Sequence, residues 1–291
     1  MSEVMLHSIR SGTRVFADGR GSVLHYSRRA INLLFGDRVV TLLTRNGILS
    51  PSSVEVDVET FPRISVADFR GDILETDRFE ILITNSVDLS VRQRLEAPRQ
   101  GVMKLIAPHV RPRERSISTA LLMLYGMPCH LDGLEKAVSE RELQALRESD
   151  SWQNLVGNLL GLGFGLTPSG DDFIVGAVSV LNLMGRDMRE LRPAVSAYAN
   201  PLSRTMLMNA LDGHYVEPLS ILIEAMAVGS MRRDDVLNLL NLGHTSGLDT
   251  LAGIYYALDG GPERLAPEQS SRQLCDSVRD PGILGKGLVD W

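Results

Sequence analysis

The hydrophobic pattern changes period once along the chain. In the first hundred residues, short runs rich in Val, Ile and Leu recur between turn signals. Arg14–Ala17, Ser22–Tyr26, Ala30–Phe35, Val39–Leu43, Val54–Val58 and Phe79–Thr84 read as strands. They are separated by Asp18-Gly19, Gly36-Asp37, Asn46-Gly47 and Ser50-Pro51. Val54-Glu55-Val56-Asp57-Val58 alternates strictly, as a strand with one wet face does. Strands this close together leave no room for crossover helices, so the pattern predicts an antiparallel sheet or small barrel.

From about Ser116 the period becomes helical. Ser139-Glu140-Arg141-Glu142 reads as a capping box that opens a helix running through Arg147. Further helices are expected at 116–125, 151–160, 171–184, 187–199, 202–211, 217–228, 233–241 and 248–258. Gly126, Gly185, Gly213, Gly229 and Gly260 fall just past helix ends, where a left-handed cap favours glycine. Between the two halves, Pro98 to Pro112 and the residues just after are basic and proline-interrupted (Arg99, Lys104, Arg111, Arg113, Arg115). This stretch reads as a domain connection. Its other reading is a basic lip that attracts an anionic substrate. After Asp259 the chain turns polar and ends on Trp291, as a tail or surface strap would. The fold class expected is α+β, with a strand-rich domain at 1–97, a connection at 98–115, a mainly α-helical domain at 116–260 and a tail at 261–291.

Composition narrows the function classes. The 291 residues are 44% hydrophobic and 23% charged, an ordinary globular balance. A net charge of −6 argues against a nucleic-acid-binding face, though a pocket on an acidic protein can still be locally positive. Cys129 and Cys275 are far apart and lack metal-type spacing, so they read as thiols in a reducing compartment. Met1-Ser2-Glu3-Val4 opens no apolar signal region. The longest apolar stretch, 173–184, is too short to cross a bilayer. A cytoplasmic protein with neither nucleic acid nor membrane as partner is expected.

The chemistry concentrates in a phrase that occurs twice. Thr167-Pro-Ser-Gly-Asp-Asp-Phe-Ile-Val-Gly176 and His244-Thr-Ser-Gly-Leu-Asp-Thr-Leu-Ala-Gly253 both contain Ser-Gly-x-Asp, at Ser169 and Ser246, an offset of 246 − 169 = 77 residues. Taken singly, each is an ordinary helix start, with a serine N-cap and an acid in the first turn that suits the helix dipole. Taken together they say more. Gly176 and Gly253 stand seven residues after each serine, and an interior helix glycine costs about 1 kcal/mol relative to alanine, which suggests a close helix crossing at each. The residues between are apolar, so both helices should be buried on all sides. Gly161, Gly163 and Gly165 lead into the first copy and allow close approach of backbone to a ligand.

The glycine run is not a P-loop, because Asp171-Asp172 stands where Lys-Ser/Thr is required. It is not the dinucleotide fingerprint either, since the third glycine is missing and a helix precedes it. The expected arrangement is two helix starts aimed at one small anion, a carboxylate or phosphate, with backbone N–H groups facing it. Gly163, Gly165, Thr167, Ser169, Gly170, Asp171, Thr245, Ser246, Gly247 and Asp249 would shape that site, and His244 and Asp172 would carry proton chemistry. No cofactor is expected. The alternative is a Mg²⁺-dependent hydrolase in which Asp171, Asp172 and Asp249 hold the ion, and a third reading is a non-catalytic assembly subunit whose motifs only pack the core. His214 with Glu217, and His130 with Asp132, are weaker site candidates, and Ser203 and Thr205 lie on a helix that would face the repeat.

The run Gly161-Leu-Gly-Phe-Gly-Leu-Thr-Pro-Ser-Gly-Asp-Asp-Phe, followed by Gly243-His-Thr-Ser-Gly-Leu-Asp-Thr-Leu-Ala-Gly, resembles a bacterial family associated with a subunit of oxamate carbamoyltransferase, the AllH-type subunit of anaerobic allantoin degradation. The stretch from Ser203 to Gly213 and on to Glu217 is similar to the family's intervening helix pair. The resemblance implies a cytoplasmic transferase subunit in purine catabolism, working beside other subunits that together move a carbamoyl group between oxalurate and phosphate. It brings no assigned catalytic residues. Self-association is a further open partner reading.

Overall fold

The short apolar runs of the first half do fold as strands, and they close on themselves. The computed structural model describes residues 4–15, 18–95 and 99–264. Met1 to Glu3, Phe16, Ala17, Pro98, Cys275 and the expected tail from residue 265 to Trp291 lie outside the described residues. The strands are β1 Val4–Gly12, β2 Gly19–Tyr26, β3 Ala30–Phe35, β4 Arg38–Leu43, β5 Ser53–Val56, β6 Val66–Arg70, β7 Ile73–Thr76, β8 Phe79–Leu82 and β9 Ser86–Val87. Their order is β5-β4-β3-β2-β6-β7-β8-β1-β9, and β1 also pairs with β5, so β1 to β8 form a closed barrel. Most neighbours are antiparallel, but β4–β5, β1–β8 and β1–β9 are parallel.

The long β1 performs the closure. Val4 to His7 pair with Phe79 to Leu82, and the chain then bulges between Ser8 and Arg10 to pair with Val56, Glu55 and Val54. A bulge of this kind turns a strand at a barrel rim. Sequence pattern did not mark β1, because its buried positions Ser8 and Ser11 are polar; both hydroxyls donate to Thr84 O. Nor did it mark β6 and β7, which are only four or five residues long. Arg14, read as a strand start, lies in a turn after β1, and Val15 follows it outside any strand. Inside the barrel, Ile31, Leu33, Phe35, Val40, Leu42, Val54, Phe69, Leu74 and Ile81 form a continuous core, with the Phe35 and Phe69 rings edge to face at 5.3 Å.

The wet face expected for 54–58 is only half right. Glu55 is buried at 3% exposure, and its carboxylate accepts from Arg10 Nε at 2.7 Å and from the Asn46 N–H at 2.6 Å. A buried carboxylate persists when paired and hydrogen-bonded in this way. Arg10 also donates to Glu217 Oε1 at 2.6 Å, and these two carboxylates, Glu217 foremost, hold the guanidinium above its ordinary value.

Ten α-helices follow among the described residues: α1 Arg99–Ile106, α2 Ile117–Leu124, α3 Gly133–Glu148, α4 Trp152–Leu159, α5 Ser169–Leu183, α6 Arg192–Ala197, α7 Pro201–Leu211, α8 Glu217–Ala227, α9 Arg233–Leu240 and α10 Ser246–Leu258. None of those described is long and apolar enough to cross a membrane. All five glycines expected past helix ends take positive φ, from 69° at Gly229 to 104° at Gly260. Part of the basic connection is itself a helix, α1, which buries Val102, Met103 and Ile106. The capping box at 139–142 does not exist: α3 starts six residues earlier, after Asp132, whose carbonyl accepts the Lys136 N–H and opens the first turn. Ser139 and Glu142 are therefore buried positions in mid-helix.

The chain separates into two compact units. One takes the strand-bearing residues up to Arg92 together with Val195–Ile221, and the other runs from Gln93 to Ala194 and resumes at Leu222. Residues 195–221, expected in the helical domain, thus group with the barrel. Local bonds explain this, since Thr205 of α7 accepts the Val39 N–H at 3.0 Å and Asn209 donates to Ser52 Oγ at 3.0 Å. Thr205 therefore faces β4, not the Ser-Gly-x-Asp elements.

The second unit is organised by α5 and α10. Both are buried along nearly their whole length, and they cross backbone to backbone. A Cβ at Gly176 would stand 2.0 Å from Thr250 O, and one at Gly253 would stand 2.0 Å from Phe173 O. Each glycine meets the residue three before the other. Gly253→Ala should lower stability by about 1–3 kcal/mol or more, because overpacking forces backbone to move. Gly157→Ala in α4 has open space around the new methyl and should be neutral or stabilising by up to about 1 kcal/mol. Urea unfolding midpoints of the two variants check both directions.

Candidate functional site

The starts of α5 and α10 are built by the same backbone device. After α4, the Leu162 N–H donates to Leu159 O and the Gly170 N–H donates to Leu162 O, both at 2.9 Å. After α9, the Leu242 N–H donates to Leu239 O and the Gly247 N–H donates to Leu242 O, again at 2.9 Å. Both positions require glycine, since a Cβ would fall 2.3 Å from Leu159 O at Gly170 and 2.1 Å from Leu239 O at Gly247. The Asp171 and Asp172 N–H groups go to Pro168 O, and the Asp249 N–H goes to Thr245 O. These five first-turn amides are thus engaged by backbone carbonyls and do not face a ligand as expected.

The two serines are not helix caps. The N-cap positions are Pro168 and Thr245, and neither side chain caps its helix. Ser169 Oγ instead donates to Glu142 Oε1 at 2.6 Å. Gly163, at φ 117°, lies so close over Ser169 that a Cβ there would be 1.9 Å from Oγ. Gly165, at φ 102°, is exposed on the same connection.

The aspartates each bind a different partner. Asp171 Oδ1 accepts the Gly161 N–H at 2.8 Å, which ties the glycine run to α5. Asp172 Oδ2 accepts from Thr167 Oγ1 at 3.2 Å, and the Ser246 hydroxyl of α10 lies near enough to oppose the rise of its pKa. Asp249 Oδ1 accepts from Ser116 Oγ at 2.5 Å and from the Ile117 N–H at 3.0 Å, so an acid of α10 caps the start of α2. Asp249 Oδ2 is buried with no hydrogen-bond partner among the described residues. Among those residues, no group of three or more His, Cys, Asp or Glu side chains is placed to hold a metal ion.

Burial dominates the electrostatics. Glu142, Ser169, Asp171, Asp172 and Asp249 are each less than 5% exposed. Burial pushes Glu142 up to about 7 against the opposing bond from Ser169. Burial likewise raises Asp249 to about 7, with the Glu142 charge adding to the effect. Asp172 rises well above the usual carboxylate range, through burial first and the Asp249 charge second. Near neutral pH the cluster therefore retains protons and can donate as well as accept hydrogen bonds.

Exposed groups sit where the two connections reach the surface. His244 is exposed, and its Nδ1 lies 3.4 Å from Arg113 Nη2. Thr245 and Ser246 are half-buried beside it in sequence. The Arg115 guanidinium lies 5.6 Å from the centre of the Phe164 ring. The weaker candidates have other roles. Asp132 stands at the N-cap position of α3 and His130 is exposed. His214 belongs to the barrel unit, where burial lowers it and Asp88 Oδ1 lies 3.9 Å away, while Glu217 pairs with Arg10.

Sequence reasoning missed Glu142 and Ser116. The signal for Glu142 was available: it shares a helix stripe with Ser139, Leu143 and Leu146, and an acid in an apolar stripe needs a partner. Ser116 had no comparable signal, because its partner Asp249 is 133 residues away.

A barrel joined to helices is an architecture shared by many functions, so the fold alone assigns none. The buried helix pair is more specific. Residues 159–258, from the end of α4 through α10, match the family model described as oxamate carbamoyltransferase subunit AllH, which bears out the AllH-type resemblance. No solved structure matches the chain.

The raised carboxyls set a pH dependence. Free Glu and Asp titrate near 4, and Glu142 and Asp249 near 7 in the fold, so the folded protein binds more protons across that interval. The stability they contribute is full below about pH 4 and is lost as pH rises through about 7. Glu142→Gln should remove its share, reducing the wild-type loss of stability between pH 5 and 8 by on the order of 2 kcal/mol. Denaturant midpoints for wild type and variant at the two pH values measure it.

Proposed function

We propose that this chain is a subunit of a carbamoyl-transferring complex and binds a small carboxylate or phosphate where α5 and α10 begin. The observation that carries the reading is the closeness of Asp172 of α5 to Ser246 and Asp249 of α10, both of which shift its carboxyl, so that the two helix starts lie together. The match to the AllH family over 159–258 supports it, because that stretch contains both starts. Carbamoyl transfer develops negative charge on oxygen in its transition state, and fixed donors in a water-poor site stabilise such charge. Since five of the first-turn amides are occupied and the Thr167 hydroxyl proton goes to Asp172, the donors in this reading are the Thr245 and Ser246 hydroxyls and the Asp172 carboxyl, which burial holds well above the usual carboxylate range. A carboxylic acid held protonated in an apolar setting is an effective donor to an oxyanion. His244, exposed at the start of the second motif, is the side chain placed to relay a proton.

Gly163, Gly165, Gly170 and Gly247 in this reading shape the backbone, and Asp171 and Asp249 lock the connections. The other members of the complex would supply the remaining substrate contacts. Calorimetry on the chain with its partner subunits should show binding of phosphate, carbamoyl phosphate or oxalurate. Heat from none of the three would contradict the reading. Asp172→Asn, which keeps the shape without ionising, should retain binding. Asp172→Ala should lose about tenfold or more in affinity, in keeping with loss of a buried charge-assisted hydrogen bond.

A further inference from the structure

The site as described lacks positive charge. Its inner wall carries Glu142, Asp171, Asp172 and Asp249, and the first-turn amides of Gly170, Asp171, Asp172, Gly247 and Asp249 are engaged by carbonyls. An anion brought there needs a cation from elsewhere. We propose that Arg113 is that cation, held beside the start of the second motif by its contact with His244 Nδ1. The assignment rests on the anion-site reading above and names the residue that gives it charge.

Three features of the structure converge on Arg113. Its backbone is fixed: Thr119 Oγ1 accepts the Arg113 N–H at 3.0 Å and donates to Arg113 O at 2.8 Å. Thr119 is 2% exposed in the first turn of α2, and the neighbouring Ser118 Oγ donates to Arg111 O at 2.9 Å. The start of α2 is in turn bonded to Asp249 of α10. The basic segment is thereby stapled to the same element that begins with the second motif.

The second feature is the partner of the side chain. Arg113 meets the His244 ring and no carboxylate among the described residues, so its charge is not already neutralised. Arg115, two residues on, differs in this respect, with Glu135 at 3.5 Å. The third is tautomeric. A guanidinium has only donors, so the Nη2 contact is a hydrogen bond only when His244 Nδ1 carries a lone pair and the ring proton is on Nε2. The contact with Nδ1 leaves the other N–H groups of the guanidinium to meet an oxyanion. Fork-shaped donation of this kind suits carboxylates and phosphates.

The test uses the full chain with its partner subunits, with inorganic phosphate, carbamoyl phosphate and oxamate titrated separately to tell phosphate from carboxylate recognition. Arg113→Gln should weaken every anion that wild type binds by about tenfold or more, with the melting temperature unchanged. Arg113→Lys should recover most of that loss. Thr119→Val, which removes both backbone staples at constant shape, should fall between. Imidazole ¹⁵N shifts should report an unprotonated Nδ1 on His244 in wild type and a mixture of tautomers in Arg113→Gln. Equal binding by wild type and Arg113→Gln overturns the assignment and leaves the anion site standing. Equal loss in the Gln and Lys variants with a lowered melting temperature also overturns it, by making Arg113 a packing residue. Failure of wild type to bind any of the three anions overturns the site and the assignment together.

Discussion

Everything in the helical unit depends on the contact between two stretches of bare backbone. Gly176 lies on Thr250 O and Gly253 on Phe173 O, with no space for a methyl group at either. This closeness lets α5 and α10 start side by side. It also puts the first turns of both helices inside the unit, where any polar group must find a protein partner. The pattern of hydrogen bonds at the site follows from that requirement. Asp172 turns to Thr167, Asp249 to the start of α2, Ser169 to Glu142 and Asp171 to Gly161, so the motif residues tie their helices to the neighbouring segments.

The cost of the arrangement is electrostatic. Four carboxyl groups are withdrawn from water, and burial raises Glu142 and Asp249 to about 7 and Asp172 well above the usual carboxylate range. An isolated buried charge is far more expensive than a pKa shift, so the cluster retains protons. That same shift makes the site useful in the proposed chemistry, because neutral acids donate hydrogen bonds to oxyanions where carboxylates would repel them. Positive charge then enters only from the surface, through the segment leading into α2.

The sequence made the helix pair legible because its signals were local. Interior glycines at equal offsets, apolar runs and turn glycines mark crossings, burial and caps through neighbours a few residues apart. What escaped were pairings over long separations. The fourfold role of the Ser-Gly-x-Asp residues as partners for distant groups could not be read from the motif, which looks like two ordinary caps. Glu142 was hidden by a Ser-x-x-Glu match that mimics a helix start, and α1 by the charges and prolines around it. In the barrel, β1 has polar residues at buried positions because it turns between two partners, and Glu55 looks wet because Arg10 is 45 residues away. Local pattern finds elements; it does not find which polar groups satisfy one another.

The central claim is that a small oxyanion binds where the α5 and α10 connections meet. A crystal structure of the chain soaked with carbamoyl phosphate tests it most directly. The account predicts one ordered anion within hydrogen-bonding distance of the 163–167 connection and His244. An anion ordered only elsewhere on the molecule, with this surface holding water alone, would contradict it.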